Sequence, residues 1–154
     1  MAKDRYSIGD LVEVTGAKRR SLQVWADRGV IIPEAGSGNA GTGVHRQFSR
    51  TEAMIACLIH PFAERQISIG ELVTIAADLR RLIKTMPEQF AVIGGTGDTI
   101  LAYEGHRPNK TTKKHPDWIF QCTISTREQF VKRTVSWPDV MIAIRLETYL
   151  AKLD

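Results

Sequence analysis

The chain of 154 residues contains no apolar run approaching the roughly 18 residues that a membrane-spanning helix requires, so no such helix is expected. Its opening, MAKDRYSIGD, carries two basic and two acidic residues around no apolar centre, and no secretory signal is expected there. Cysteine is scarce. Cys57 and Cys122 are far apart and fit no zinc spacing, which leaves reduced thiols in a cytoplasmic protein as the expectation. Charge of one sign is also not abundant: 21 Lys and Arg face 17 Asp and Glu, a net charge of +4. That balance permits a polyanionic partner without identifying one.

What is present points to a folded protein with a basic front end. Hydrophobic residues make up 43%, enough for a core and too many for whole-chain disorder. Residues 1–50 hold eight Lys and Arg against five acids, so most of the excess charge lies in the first third.

Ser7-Ile8-Gly9-Asp10-Leu11-Val12 reads as a capped helix start, with Asp10 three residues after Ser7 and Ile8, Leu11 and Val12 on one face. Thr15-Gly16-Ala17 interrupts it. A second helix is expected from Lys18 to about Arg28, with Leu22 and Trp25 inward and Gly29 at its C-terminal end. Two short helices joined by a glycine-containing turn make a helix-turn-helix pattern. Val30-Ile31-Ile32-Pro33, a glycine-rich stretch, and then Val44-His45-Arg46-Gln47-Phe48 are read as a two-stranded hairpin with a long tip, a wing. Ser49 and Ser68 each precede a Glu by three residues, at Glu52 and Glu71, and mark two further helices. Pro61 is expected to kink or end the first of these.

After Pro87 the texture changes. Residues 90–93, 99–103 and 118–124 look like strands, the first two separated by Gly94-Gly95-Thr96-Gly97-Asp98 as a hairpin turn. A last helix is expected from Asp139 to about Leu153. The fold class is therefore α+β: a winged helix-turn-helix over residues 1–86, then a small three-stranded sheet with a C-terminal helix over residues 87–154.

The residues themselves resemble the MerR family. The likeness is carried by Tyr6-Ser7-Ile8-Gly9-Asp10-Leu11, by Thr15-Gly16, and by Arg20 through Ile31; Gly43 through Ser49 and Gln66 through Leu72 continue it. Gln23 and Val24 stand where that family usually has a basic and an aromatic residue. The strand-like region follows where its members commonly continue into one long helix. The resemblance implies a DNA-binding transcriptional regulator over roughly residues 5–84.

Lys18, Arg19 and Arg20 occupy the first turn of the second helix, the end that enters the major groove in helix-turn-helix docking. Arginine binds guanine in bidentate fashion, and Gln23 can do the same with adenine. Three cations on one turn also fit a plain solvated face, but at a helix N-terminus they oppose the macrodipole. His45 and Arg46 on the wing, with Arg28 and Arg50 as phosphate clamps, complete the expected DNA-binding set. Trp25 and Tyr6 read as core. Arg107, Lys110, Lys113 and Lys114 form a basic loop that fits either a second DNA contact or a surface loop.

Other signals carry less. Gly94 to Asp98 lacks the Lys-Ser/Thr ending and following helix of a phosphate loop. Cys57 and His60 lie one helical turn apart with no further ligands, so no metal or other cofactor is expected. No nucleophile, base and orienting group come together, and no enzymatic activity is expected. The expected partners are double-stranded DNA, a second copy of the chain and, through the C-terminal part, RNA polymerase. Val140, Ile144 and Leu146 are candidates for a dimer surface, or for burial against the local sheet. Two alternatives stay open: a DNA-architectural factor of the excisionase or phage-packaging kind, and a ligand sensor with a cavity lined by Phe90, Tyr103, Trp118 and Phe120.

Overall fold

The computed structural model describes residues 3–37, 45–90, 99–106, 119–132 and 140–153. The first element is a short strand, β1 (Arg5–Ser7), which runs directly into helix α1 (Ile8–Thr15). Ser7 caps α1 reciprocally: its hydroxyl accepts from the Asp10 amide at 3.2 Å, and Asp10 Oδ2 accepts from the Ser7 amide at 2.7 Å. The Lys3 ammonium, 2.7 Å from Asp10 Oδ1, and the Ser7 N–H hold the Asp10 carboxyl down at about 2, so the cap stays ionised at neutral pH. Gly16 follows α1 with φ 76°, a left-handed conformation that glycine takes without a side-chain clash, and turns the chain into α2 (Arg19–Asp27).

The wing is built differently from the expected hairpin. Strand β2 (Gln47–Ser49) pairs antiparallel with β1, Tyr6 opposite Phe48, and not with residues 30–33. Val30 and Ile31 are fully buried, and the Ile32 amide donates to Glu52 Oε2 at 2.8 Å, so that segment is committed to the core and to a side chain. Among the described residues a single backbone bond, Glu34 N–H to the Gln47 carbonyl at 2.8 Å, joins the two sides.

Helix α3 (Arg50–Glu64) is the centre of the molecule. Its residues from Glu52 to Ile59, with Pro61 and Phe62, are all buried, the pattern of a helix covered on every side. Pro61 lies inside it and the helix continues to Glu64, so the expected end at the proline is not observed. Helix α4 (Ile69–Thr85), capped by Ser68 and Glu71, packs Leu72, Ile75, Ala76, Leu79 and Leu82 inward.

The C-terminal region corrects two expectations. Phe90 lies in a one-turn helix, α5 (Pro87–Phe90), and not in a strand; residues 91–98, with the expected hairpin turn, lie outside the described residues. The long terminal helix is instead a strand, β5 (Val140–Arg145), then a short helix α7 (Leu146–Leu150) and a 3-10 turn (Ala151–Leu153). Val140, Ile142 and Ile144 alternate at period two and are β-branched, which suits a pleated strand better than a helix. The sheet does have three strands: β3 (Thr99–His106) lies between β4 (Ile119–Thr126) and β5, antiparallel to both. Helix α6 (Arg127–Lys132) follows β4.

Buried residues from Tyr6 to Leu153 form one cluster. Phe62 on α3 meets Tyr103 on β3 edge-on, with ring centroids 6.2 Å apart. The Cys122 amide donates to Asp78 on α4 at 3.2 Å. At the other end, the Leu153 carbonyl accepts from Tyr6 Oη at 3.4 Å and from Arg50 Nη1 at 3.2 Å.

Candidate nucleic-acid interface

Helix α2 is amphipathic in the way a groove-binding helix must be. Leu22 and Trp25, 0% and 4% exposed, fix its inner face in the core, as expected for Trp25. Arg20, Gln23, Val24 and Asp27, at spacings of three and four, form the outward strip. Lys18 and Arg19 stand exposed at its N-terminal end, and Arg28 at its C-terminal end.

The N-terminal end is electrostatically unusual. Lys18 is the N-cap residue and makes no side-chain cap, and the first turn contains no acid. Among the described residues Lys18, Arg19, Arg20 and Arg28 enter no ion pair and no side-chain hydrogen bond. The positive end of a helix thus carries three further positive charges that the protein leaves unneutralised. The helix stops at Arg28 because Gly29 turns left-handed at φ 77°, and the Val30 amide then donates back to the Trp25 carbonyl at 2.8 Å.

The base of the wing reaches this strip. Arg46 Nη1 lies 2.7 Å from Asp27 Oδ1, so the wing arginine is held against the outward strip of α2 by an acid from that strip. His45 is exposed beside it. Residues 38–44, the wing tip, lie outside the described residues. Arg50 sits at the start of α3 with its guanidinium on the C-terminal Leu153 carbonyl. Charge patterning picks out neither Val24 nor Asp27. Val24 is an apolar side chain 41% exposed in the middle of a charged strip, and Asp27 is an acid whose partner lies 19 residues away.

The remaining candidates separate. Arg107, Lys110, Lys113 and Lys114 lie outside the described residues. Ile144 and Leu146, candidates for a dimer surface, are 5% and 2% exposed and turned into this chain's own core; Val140 begins β5, and its side chain lies outside the described residues. Phe90 and Tyr103 are likewise buried, while Trp118 and the Phe120 side chain lie outside the described residues. A cleft of about 430 Å³ opens elsewhere, between Leu82 and Met86 of α4 and Cys122 to Ser125 of β4.

Cys57 is buried with its thiol 3.9 Å from the Val14 carbonyl, and His60 lies 3.7 Å from Glu64. Among the described residues no three His, Cys, Asp or Glu side chains are grouped to hold a metal ion. Burial pushes both thiols, Cys57 and Cys122, up to about 12, which leaves them protonated and poor nucleophiles at neutral pH. No helix among the described residues is long and apolar enough to cross a membrane.

No curated protein matches the chain. A family model does, over residues 6–79, and its description is the MerR helix-turn-helix family of regulatory proteins. The matched segment begins at Tyr6 in β1, takes in both helices of the helix-turn-helix and the base of the wing, and ends at Leu79 in α4. Over residues 6–79, just under half of its length, the chain is thus similar to the MerR helix-turn-helix family of regulatory proteins.

Proposed function

We propose that this chain is a sequence-specific regulator of transcription, with α2 in the major groove of double-stranded DNA and the wing on the flanking backbone or minor groove. The observation that carries this reading is the outward face of α2, where cations crowd the positive end of a helix without any neutralising acid. Such an arrangement costs stability in the free protein, and bound phosphate would offset it. The major groove, about 12 Å wide, admits a helix and presents a distinct pattern of donors and acceptors for each base pair. Arg19, Arg20 and Gln23 are the proposed base-reading residues. Lys18, Arg28, His45, Arg46 and Arg50 are proposed to hold the backbone.

One recognition helix contacts few base pairs, so we propose a symmetric homodimer reading two half-sites. The region from residue 87 onward then serves self-association or contact with RNA polymerase, and its basic stretch, Arg107 to Lys114, adds phosphate contacts. The site of action is the cytoplasm, on the nucleoid. Chromatin immunoprecipitation with sequencing tests the reading. Sharp peaks at promoters are expected. Peaks confined to attachment or packaging sites would move the protein to an architectural role, and an absence of sequence-specific peaks would overturn DNA recognition altogether.

Asp27 offers a second check with an unusual sign. It places a negative charge on the face that would meet phosphates, and it neutralises Arg46. Asp27→Asn is expected to raise affinity for random duplex by about three- to tenfold in low salt, and to steepen the salt dependence by up to about one counterion. Specificity falls as a result. Fluorescence anisotropy against random and selected duplexes measures both. Stability changes little, because the pair is solvent-exposed and worth less than about 1 kcal/mol.

A further inference from the structure

The outward strip of α2 holds one residue whose placement neither packing nor helix propensity explains. Val24 is 41% exposed, and it is the only large hydrophobic of α2 that is exposed; the others among the described residues, Ile32, Ile69 and Val131, lie elsewhere. A β-branched residue on a helix surface is a poorer helix former than alanine or a charged residue, and here two fifths of its apolar surface stays in water in the free protein. Its neighbours on the strip are Arg20, Gln23 and Asp27, all polar and all exposed.

We propose that Val24 reads the 5-methyl group of a thymine, beside the base pair addressed by Gln23. This rests on α2 being the recognition helix. In the major groove the thymine methyl is the one apolar group that the four standard bases present, and an apolar side chain is what discriminates it from cytosine. Valine is well suited to that contact. In a helix its χ1 angle is almost confined to one rotamer, so it loses little freedom when pressed against a methyl group. Gln23 and Val24 are separated by only about 1.5 Å along the helix axis, so both reach the same short stretch of the groove. The half-site is thus expected to contain an adenine contacted by Gln23 and, within a base step of it, a thymine contacted by Val24.

The test uses the full chain and a random duplex library. After selection, each thymine of the enriched sequence is replaced in turn by deoxyuridine, which removes the methyl group and leaves every hydrogen-bonding atom in place. At one thymine per half-site the wild-type protein is expected to lose about three- to fivefold in affinity, the value of one buried methyl. Val24→Ala, which favours the helix and so keeps the fold, is expected to bind thymine and uracil duplexes equally. Val24→Ile is expected to keep the discrimination. No loss of affinity at any thymine, or persistence of the discrimination in Val24→Ala, overturns the assignment of Val24 while leaving DNA recognition intact. A library that yields no enriched sequence overturns both.

Discussion

Arg19→Ala/Arg20→Ala protein is expected to lose about a hundredfold or more in affinity for its selected duplex, while its melting temperature stays the same or rises slightly. The loss follows from two bidentate or phosphate contacts at about 1–3 kcal/mol each. The stability side has the opposite sign because both cations sit in the uncapped first turn of α2, without an acidic partner among the described residues. Removing them relieves repulsion from the helix dipole, worth about 0.3–1 kcal/mol per charge, and alanine is the better helix former. Losing function without losing fold separates a binding role from a structural one. Titration by fluorescence anisotropy at several salt concentrations, beside a thermal melt, reads both quantities. The slope of log affinity against log salt is expected to fall by about 0.9 for each phosphate contact removed. Retained affinity would show that α2 does not face the DNA.

The features readable in the sequence are the local ones. The caps at Ser7, Ser49 and Ser68 depend on partners three residues away, and all three form. The turns at Gly16 and Gly29 depend on one residue each. Helix α2 was readable for the same reason, with its inward Leu22 and Trp25 and its outward cations. The features that were not readable are set by partners far along the chain. Strand β1 is three residues long, too short for an alternating pattern, and its partner lies some forty residues later. Residues 30–33 have the apolar character of a strand, yet Glu52 takes the Ile32 amide, and among the described residues the segment pairs with no strand. Strand β5 was open to misreading because Val140 and Ile144, four residues apart, also fit one face of a helix. The strand prevails because Ile142 and Ile144 stand opposite Tyr103 and Leu101 on β3, a pairing that local spacing does not contain. In the candidate site, charge counting found the cations of α2 and missed Val24, whose interest lies in its exposure.

Glu52 is the other residue whose role depends on distant partners, and it underlies the second large effect. Arg80→Met is expected to destabilise the protein by about 3 kcal/mol, lowering the melting temperature by roughly 6–12 °C. Arg80 on α4 donates from Nε to Glu52 Oε1 at 2.7 Å and from Nη2 to Glu52 Oε2 at 2.8 Å, and Nη2 also reaches the Val30 carbonyl at 2.7 Å. Glu52 Oε2 in turn accepts from the Ile32 amide. One ion pair therefore fastens α3, α4 and the chain leaving α2. Glu52 is 8% exposed, so removing the guanidinium strands a carboxylate in a low-dielectric setting. Glu52→Ala is expected to cost less, because Arg80 can swing its charged end into water. Arg80→Lys should fall between wild type and Arg80→Met, since a lysine supplies charge but neither the fork nor the Val30 contact. The double variant Glu52→Leu/Arg80→Met is expected to be less destabilised than the sum of its single changes by at least about 1.5 kcal/mol, as removing both charges leaves neither one buried alone. Denaturant unfolding of wild type, Glu52→Leu, Arg80→Met and the double variant closes the cycle, and additive effects would show that the pair does not act as a unit. The consequence reaches the proposed DNA face: Val30 and Ile32 fix where α2 ends and where the wing begins. Well below its melting temperature, Arg80→Met protein should still fold and yet bind its selected duplex more weakly, because helix and wing are no longer held at one spacing.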